Sequence, residues 1–449
     1  MNWTICDRGP RQSARALRDF ARFLMSSGRK RAKLPQCDVI LFCSSDKASF
    51  GPAMAELAAR LTRRSLRCGL LSYRNLRIAD RDGTIADWQD VNERFYSGAS
   101  LRQAALDAMH GLIAFFCLLE KVKDKRGALV HLLRRAASVW LELTLSRHRL
   151  RECCDFLRET GARLVVVHNE KVPIANELII ASRRLGRSTA YFLCEHPDIL
   201  TQPVQSDEVW VWNEVITSSM RQVIATEKSE PAPEIHVVGH PESDYVLKKR
   251  ANDVATLNPM DHWIHNGRVF LFISEYTTNK TWKRGPVTRA CVRWLRDAAM
   301  DLPDWFFVFK TRPYHHAITL PELEDDSMPD NMAIYREGAG LGDFLASGQV
   351  VAAGALGSLG LFAAAMCGIP SFRFNVSGRQ MAMHFLDELT VPARSPEELI
   401  DGLKAVDRHR TALVKKIEGA PYRGRSLDRM EFLALRRLGV PAGHDKVAA

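Results

Sequence analysis

Short apolar runs alternate with helical segments along most of the chain. Residues 37–43 form one such run, a polar loop and a helix that begins at Pro52 follow, and residues 68–72 form the next run. Runs rich in β-branched and aromatic residues are typical of strands buried on both faces, and the strand–helix–strand order predicts a parallel sheet. The alternation of strands and helices continues in two later series. Strands are predicted at 164–168, 189–194, 208–212 and 235–238, and then at 269–273, 305–309, 349–353 and 371–374.

The same pattern divides the chain into two α/β domains. A polar stretch at 248–267 separates the two series of strands. We therefore predict two Rossmann-like parallel-sheet domains, at residues 1–247 and 265–395, and a basic helical tail at 396–449. Residues from about 100 to 160 contain few helix breakers, which predicts a helical insertion in the first domain. Residues 10–34 have the pattern of a basic amphipathic helix.

Composition excludes several classes of protein. With 449 residues, 46% of them hydrophobic and 26% charged, the chain is neither mainly disordered nor a small disulfide scaffold. The formal net charge of +11 favours an anionic partner, which includes nucleotides, phosphorylated substrates, anionic membranes and nucleic acid. Because the sequence contains no recognisable nucleic-acid motif, we do not expect nucleic acid among its partners.

The cysteines and apolar segments bear on location. The ten cysteines contain no CxxC pair and no regular spacing, which is typical of free thiols in a reducing compartment. The longest apolar run, 111–119, is far shorter than the roughly 20 residues that span a bilayer. The N-terminus lacks the apolar stretch of a signal peptide. These features predict a cytoplasmic protein, compatible with a peripheral position at the inner face of the plasma membrane.

Two loops of the second domain carry candidate anion-binding residues. The loop 354–360 follows a strand and opens a helix, so its backbone N–H groups, with Gly357, Ser358 and Gly360, could hold a phosphate. The glycines could instead permit close packing, and Ser358 could simply cap the helix. The absence of GxxxxGK[ST] excludes a P-loop.

The second loop, 310–316, follows the strand at 305–309. It contains Lys310, Arg312 and His315, which are residue types that bind phosphate, although Pro313 alone could produce a solvated turn there. Ser274 follows the first strand of this domain, where its hydroxyl could bind phosphate or ribose or could cap the next helix.

The first domain offers candidates for a catalytic base. Asp46, Glu195 and His196 lie in loops after predicted strands, where a carboxylate or imidazole could take a proton from an acceptor. Each of them could instead be a hydrogen-bonded structural residue. His168 and Glu170 have the types of a metal pair, but two ligands without a third do not make a site, so we predict no metal.

Three segments resemble the GT-B glycosyltransferases of bacterial surface-polysaccharide (capsule and lipopolysaccharide) biosynthesis. Residues 238–244 (VGHPESD) resemble a G-x-P-x-x-D segment, 308–315 (VFKTRPYH) resemble a K-x-H-P or R-P-x-H loop, and 357–370 resemble an S-x-G-x-E-A…G-x-P segment. The resemblance covers roughly residues 237–371, and the first domain matches only in its alternation of strands and helices.

This resemblance implies a metal-independent transferase without a cofactor. A nucleotide-sugar donor would bind the second domain, and a glycan or polyprenyl-diphosphate-linked acceptor would bind the first, with reaction in the cleft between them. Ser358, Lys310, Arg312 and His315 would neutralise the departing diphosphate or nucleoside phosphate.

The chain departs from the family pattern at one position. Many members have a ribose-binding Glu where this chain has Phe362, and CDP-glycerol-type phosphotransferases also lack that Glu. The donor nucleotide therefore stays open. A CDP-polyol (teichoic-acid-like) phosphotransferase and a non-catalytic basic module that binds membrane or nucleic acid are the alternatives. A nucleotide-sugar 2-epimerase would need several acidic and His residues converging on one sugar, and the sequence does not place such a set.

Overall fold

The computed structural model contains two parallel β-sheets, each covered by helices. It describes residues 36–43, 50–72, 77–79, 85–87, 89–90, 95, 101–122, 132–133, 136–170, 172–193, 204–226, 231–251, 267–274, 284–311, 328–335, 340–376 and 384–441. The amphipathic helix predicted at 10–34 lies outside these residues. We call the two sheets, with the helices that cover them, the first and second lobes.

The first lobe is built on a seven-stranded parallel sheet. Its strand order is β5-β2-β1-β6-β7-β8-β9, and β3 and β4 form a separate antiparallel pair. The strands are β1 (Val39–Cys43), β2 (Cys68–Ser72), β3 (Arg77–Ala79), β4 (Ile85–Asp87), β5 (Gln89–Asp90), β6 (Leu164–Val167), β7 (Ser188–Phe192), β8 (Glu208–Val211) and β9 (Glu234–Val237). The helices are α1 (Phe50–Arg63), α2 (Leu101–Val122), α3 (Ala136–Thr160), α4 (Ala175–Arg184), α5 (Glu214–Thr226) and α6 (Pro241–Ala251).

The second lobe is built on a six-stranded parallel sheet in the order β12-β11-β10-β13-β14-β15. Its strands are β10 (Arg268–Ile273), β11 (Trp305–Lys310), β12 (Met332–Tyr335), β13 (Val350–Ala355), β14 (Ser371–Phe374) and β15 (Thr390–Ala393). The helices in this half of the chain are α7 (Arg284–Asp301), α8 (Leu341–Ala346), α9 (Leu359–Met366), α10 (His384–Asp387), α11 (Pro396–Lys404), α12 (Val406–Ile417) and α13 (Ser426–Leu438). The central strands of both sheets are buried almost completely, which agrees with their continuous apolar runs.

The helices after residue 396 are divided between the lobes. Lys404 of α11 pairs with Asp301 of the second lobe at 3.0 Å. By contrast, α13 lies against α1 of the first lobe, where Arg64 Nε donates to Glu431 Oε1 at 2.9 Å. The end of the chain therefore crosses back from the second lobe to the first.

Helix α6 also connects the lobes, because it follows the first sheet and contacts the second lobe. It directly follows the first sheet, yet Arg250 Nε donates to the carbonyl of Leu345 in α8 at 2.9 Å, and Lys249 pairs with Asp343 at 3.3 Å. The helix begins at Pro241 and ends at Ala251, within the polar stretch that separates the two predicted series of strands. A proline in the first turn, acidic residues near the start and basic residues in the last turn favour this helix.

Candidate functional site at the carboxyl edge of the second sheet

The predicted phosphate-binding residues lie at the ends of adjacent strands. β10 lies between β11 and β13, with Ile273 in register with Lys310 and Phe272 in register with Gly354. The backbone N–H of Ser274 donates to the carbonyl of Lys310 at 3.1 Å. Since neighbouring strands are about 4.8 Å apart, the ends of β11 and β13 lie about 10 Å apart across the sheet edge. Ser274, Lys310 and the loop that contains Gly357 and Ser358 therefore share one edge.

Lys310 is a buried cation in an aromatic setting. The residue is only 6% exposed, and its ammonium lies 5.5 Å from the ring centre of Phe344 and 5.8 Å from that of Tyr335. Nζ also donates to the carbonyl of Thr311 at 3.5 Å. Cation–π contacts and a carbonyl hold the ammonium at the strand end without adding a negative charge of their own. Such an ammonium can act as a point charge for a phosphate.

Tyr335 was not among the residues indicated by the sequence. Its carbonyl accepts hydrogen bonds from the N–H and from the hydroxyl of Thr311, both at 3.0 Å. Its ring packs edge-on against Phe344, with centroids 4.7 Å apart. Together these contacts fix the residue after Lys310 and the rings beside its ammonium. The only sequence signal was the short apolar run at 332–335.

Ser358 caps helix α9 at the same edge. Its Oγ accepts a hydrogen bond from the N–H of Gly360 at 3.1 Å, as the capping alternative predicts. A capping hydroxyl still has a proton to donate, and the helix N-terminus carries partial positive charge. Gly360 has a packing role, because a Cβ there would lie 2.7 Å from Leu341 Cδ2 and 3.0 Å from Ile273 Cδ1. Gly357 is buried in the turn before Ser358.

Phe362 lies in a contact between the lobes. Its ring centre is 5.3 Å from the rings of both Trp212 and His240, which follow β8 and β9 of the first lobe. All three side chains are buried. Burial lowers the pKa of His240 to about 3, so the imidazole is neutral at physiological pH. The position that the sequence resemblance aligns with a ribose-binding Glu is therefore part of the packing between the lobes.

The segment 238–244 contacts the end of the chain where it crosses back to the first lobe. Asp244 accepts hydrogen bonds from the N–H groups of Gly424 and Ser426, at 2.7 and 2.6 Å. Gly239 has φ +84°, and a Cβ there would lie 2.8 Å from the carbonyl oxygen of Tyr422. Both the glycine and the aspartate of this segment thus hold the crossing into α13. This gives the motif a structural role in the present chain.

Asp46, Glu195 and His196 lie outside the described residues, as do Arg312 and His315 of the phosphate-binding set. In the first lobe, Glu170 is buried, and its carboxylate accepts hydrogen bonds from the N–H groups of Gln205 and Ser206 and from the Ser206 hydroxyl at 2.8 Å. Glu170 therefore fixes the loop before β8.

One group of the described residues has ligand types for a metal. Glu208, Glu234 and His236 can bring one ligand atom each within 4.8 Å of the others. Two guanidinium groups of α13 already contact this group: Arg436 donates to Glu208 at 2.8 Å, and Arg437 binds both Glu208 and Glu234. Burial alone would raise the pKa of Glu208, but hydrogen bonds from His236, Trp210 and Arg437 outweigh it and lower the pKa to about 2. This cluster attaches the end of the chain to the first sheet.

The described helices include none that is long and apolar enough to cross a lipid bilayer.

Comparisons with known proteins identify the architecture. No protein-family model and no curated protein sequence matches the chain. Among solved structures, it is similar to a Staphylococcus aureus MnaA–UDP complex (TM-score 0.56, 10% identity, covering 91% of this chain and 99% of that one). It is also similar to the UDP-GlcNAc 2-epimerase of Methanocaldococcus jannaschii (TM-score 0.54, 10% identity, 89% and 99%) and to the wall teichoic acid polymerase TagF (TM-score 0.52, 11% identity, 96% and 97%). The predicted fold class, two Rossmann-like domains in the GT-B arrangement, is confirmed.

Proposed function

We propose that the chain is a GT-B glycosyltransferase that moves a sugar from a nucleotide-activated donor to a surface-polysaccharide or lipid-linked acceptor without a metal. One observation carries the proposal. Lys310, whose ammonium is buried, is the last residue of β11, and only β10 separates β11 from β13, the strand that precedes the Ser358-capped N-terminus of α9. A diphosphate has the size and charge to bridge these two groups. Similarity to the MnaA–UDP complex and to a Neisseria meningitidis UDP-GlcNAc 2-epimerase bound to UDP-GlcNAc supports a nucleotide donor.

The chemistry that follows is stabilisation of a leaving group. As the bond between the sugar and the nucleotide breaks, negative charge grows on the departing phosphate. Lys310, the N–H groups that open α9 and the Ser358 hydroxyl would stabilise that charge, which is usually the largest catalytic contribution of such a site. Arg312 and His315 are proposed to add to this set. Asp46, Glu195 and His196 are the proposed bases that accept the proton of the acceptor hydroxyl in an inverting reaction.

A CDP-polyol phosphotransferase is the second candidate. In that reaction an acceptor hydroxyl attacks the phosphate attached to the polyol, and CMP leaves. The burial of Phe362 against Trp212 and His240 favours it, since the structure has no carboxylate for ribose at this position. Similarity to the wall teichoic acid polymerase over 96% of this chain gives further support. Both candidates use the edge formed by Lys310, Ser358 and the start of α9, which we call the cationic edge, to neutralise the leaving group.

Product analysis separates the candidates. The purified protein is incubated with UDP-, GDP- and CMP-activated sugars and with CDP-glycerol, each with and without a polyprenyl-diphosphate-linked glycan, and the products are identified by mass spectrometry. We expect a glycosylated acceptor together with a nucleoside phosphate. Release of CMP with a glycerol phosphate on the acceptor would select the second candidate. Conversion of a UDP-sugar to its 2-epimer without an acceptor would overturn both in favour of an epimerase.

Lys310→Met tests whether the cationic edge is responsible for the transfer reaction. Methionine retains most of the side-chain volume between Tyr335 and Phe344 and removes the charge, so the fold should persist. We expect the rate of transfer to fall by at least about 100-fold. Lys415→Ala, which removes an exposed lysine of α12, is the matched control and should retain full activity. A wild-type rate in Lys310→Met would remove this edge from the mechanism.

A further inference from the structure

Among the described residues, helix α2 is held against α3 through one face. On that face, Gly111 lies against Thr144 of α3, where an added Cβ would be 2.3 Å from the hydroxyl. The indole N–H of Trp140 donates to the carbonyl of Ala108 at 3.0 Å. The buried carboxylate of Asp107 binds the Arg151 guanidinium at 2.6 Å. These contacts fix the position of α2 without using its opposite face.

The opposite face is apolar and exposed. Five large side chains that follow one another at helical spacing are 37–59% exposed: Leu106, Met109, Leu112, Ile113 and Phe116, which we call the α2 stripe. The remaining exposed residues between 103 and 119 are Ala105, Ala114 and Cys117. Asp107 is the only Asp, Glu, Lys or Arg in that stretch, and it is buried on the packed face. A continuous patch of this kind marks an interaction surface, whereas single exposed apolar residues do not.

The sequence on either side of the stripe is rich in basic residues. Arg102 precedes it and Lys121 follows it, both exposed. In the sequence, residues 118–135 contain six Lys or Arg and two acidic residues, and the whole chain has a net charge of +11. An apolar helix face with basic residues at its end is complementary to an anionic lipid surface, whose headgroups are acidic and whose acyl chains are apolar.

We propose that the α2 stripe docks the protein on the surface of an anionic lipid bilayer. The stripe side chains enter the boundary between headgroups and acyl chains, and the neighbouring basic residues lie beside lipid phosphates. The 22-residue helix lies in the plane of the membrane, because it is not apolar enough to cross it. This surface belongs to the first lobe and is separate from the cationic edge of the second sheet.

Vesicle sedimentation of the full chain tests the proposal. One set of vesicles contains equal parts of phosphatidylglycerol and phosphatidylcholine, and the other contains phosphatidylcholine alone. We expect the wild type to bind the anionic vesicles at least about tenfold more tightly, and 1 M salt to weaken this binding. The double variant Ile113→Glu/Phe116→Glu should lose about tenfold or more of the binding to anionic vesicles.

Met300→Glu is the matched control, because Met300 is a large apolar residue that is 67% exposed on the second lobe. It should bind anionic vesicles as the wild type does. Ile113 and Phe116 are 53% and 59% exposed, so the double variant should retain its melting temperature.

Three results would overturn the proposal. The wild type could bind neither set of vesicles or both sets equally, or the double variant could bind as the wild type does. A wild-type dimer in light scattering that the double variant converts to a monomer, without vesicle binding, would instead assign the stripe to a second copy of the chain.

Discussion

Buried charged residues at the carboxyl ends of the two sheets have different roles. In the first lobe, Glu170 follows β6, and three donors from Gln205 and Ser206 surround its carboxylate. In the second lobe, Lys310 ends β11 beside two aromatic rings and the Thr311 carbonyl. The first arrangement holds a loop in place, and the second positions a positive charge at the edge that also contains the start of α9. A charged residue at a strand end therefore indicates function only once its contacts are known.

The contact between the lobes should give the largest change in stability. Phe362→Glu would place a carboxylate between Trp212 and neutral His240, where burial opposes its charge. We expect a loss of at least about 3 kcal/mol in the free energy of unfolding, measured by urea denaturation. Phe362→Leu, which keeps the contact apolar, should lose about 1–2 kcal/mol. A stable Phe362→Glu protein that gains a thermal response to UDP would show that this position faces the donor.

Glu170→Ala tests whether Glu170 has a structural role, in contrast to Lys310. Removal of the carboxylate leaves the buried N–H groups of Gln205 and Ser206 without this acceptor, so we expect a loss of about 2–4 kcal/mol. Urea denaturation measures it, and Glu170→Gln, which keeps one carbonyl oxygen, should lose less. The response of the protein to nucleotides should not change. Unaltered stability together with lost transfer would instead make Glu170 a functional residue.

Glu208 gives a smaller effect that depends on pH. The unfolded carboxyl has a pKa of 4.5, and in the folded protein hydrogen bonds from His236, Trp210 and Arg437 overcome burial and lower it to about 2. Because the folded pKa is the lower one, the stabilisation is present above pH 4.5 and is lost as pH falls toward 2. Between pH 5.5 and pH 3, the wild type should lose about 2 kcal/mol more than Glu208→Gln. Parallel stability curves for the two proteins would contradict this assignment.

Much of the architecture follows from the chain pattern alone. The long buried runs at β1, β10 and β11 predict strands because parallel strands covered on both faces must be apolar throughout. Five short strands, β3, β4, β5, β12 and β15, were not predicted, because two to four residues carry little periodic signal. The return of α13 to the first lobe was not predicted either. It depends on Asp244 and the backbone at 424–426, which are far apart in sequence.

The candidate site was predictable in part. Residue types and strand ends indicated Ser274, Lys310 and Ser358, since parallel strands bring their carboxyl ends to one edge. The aromatic setting of Lys310 could not be predicted, because Tyr335 and Phe344 come from elements that meet it only in the folded lobe. The role of Phe362 depends in the same way on two side chains more than a hundred residues earlier.

The most direct test of the cationic edge is the melting temperature of the wild type and of Lys310→Met with UDP, CMP, CDP and GDP. A ligand that binds only the folded state raises the melting temperature, and 100-fold saturation stabilises by about 2.7 kcal/mol. We predict that at least one nucleotide stabilises the wild type and that Lys310→Met loses most of this shift while melting normally without ligand. An equal shift in both proteins, or no shift with any nucleotide, would contradict the account.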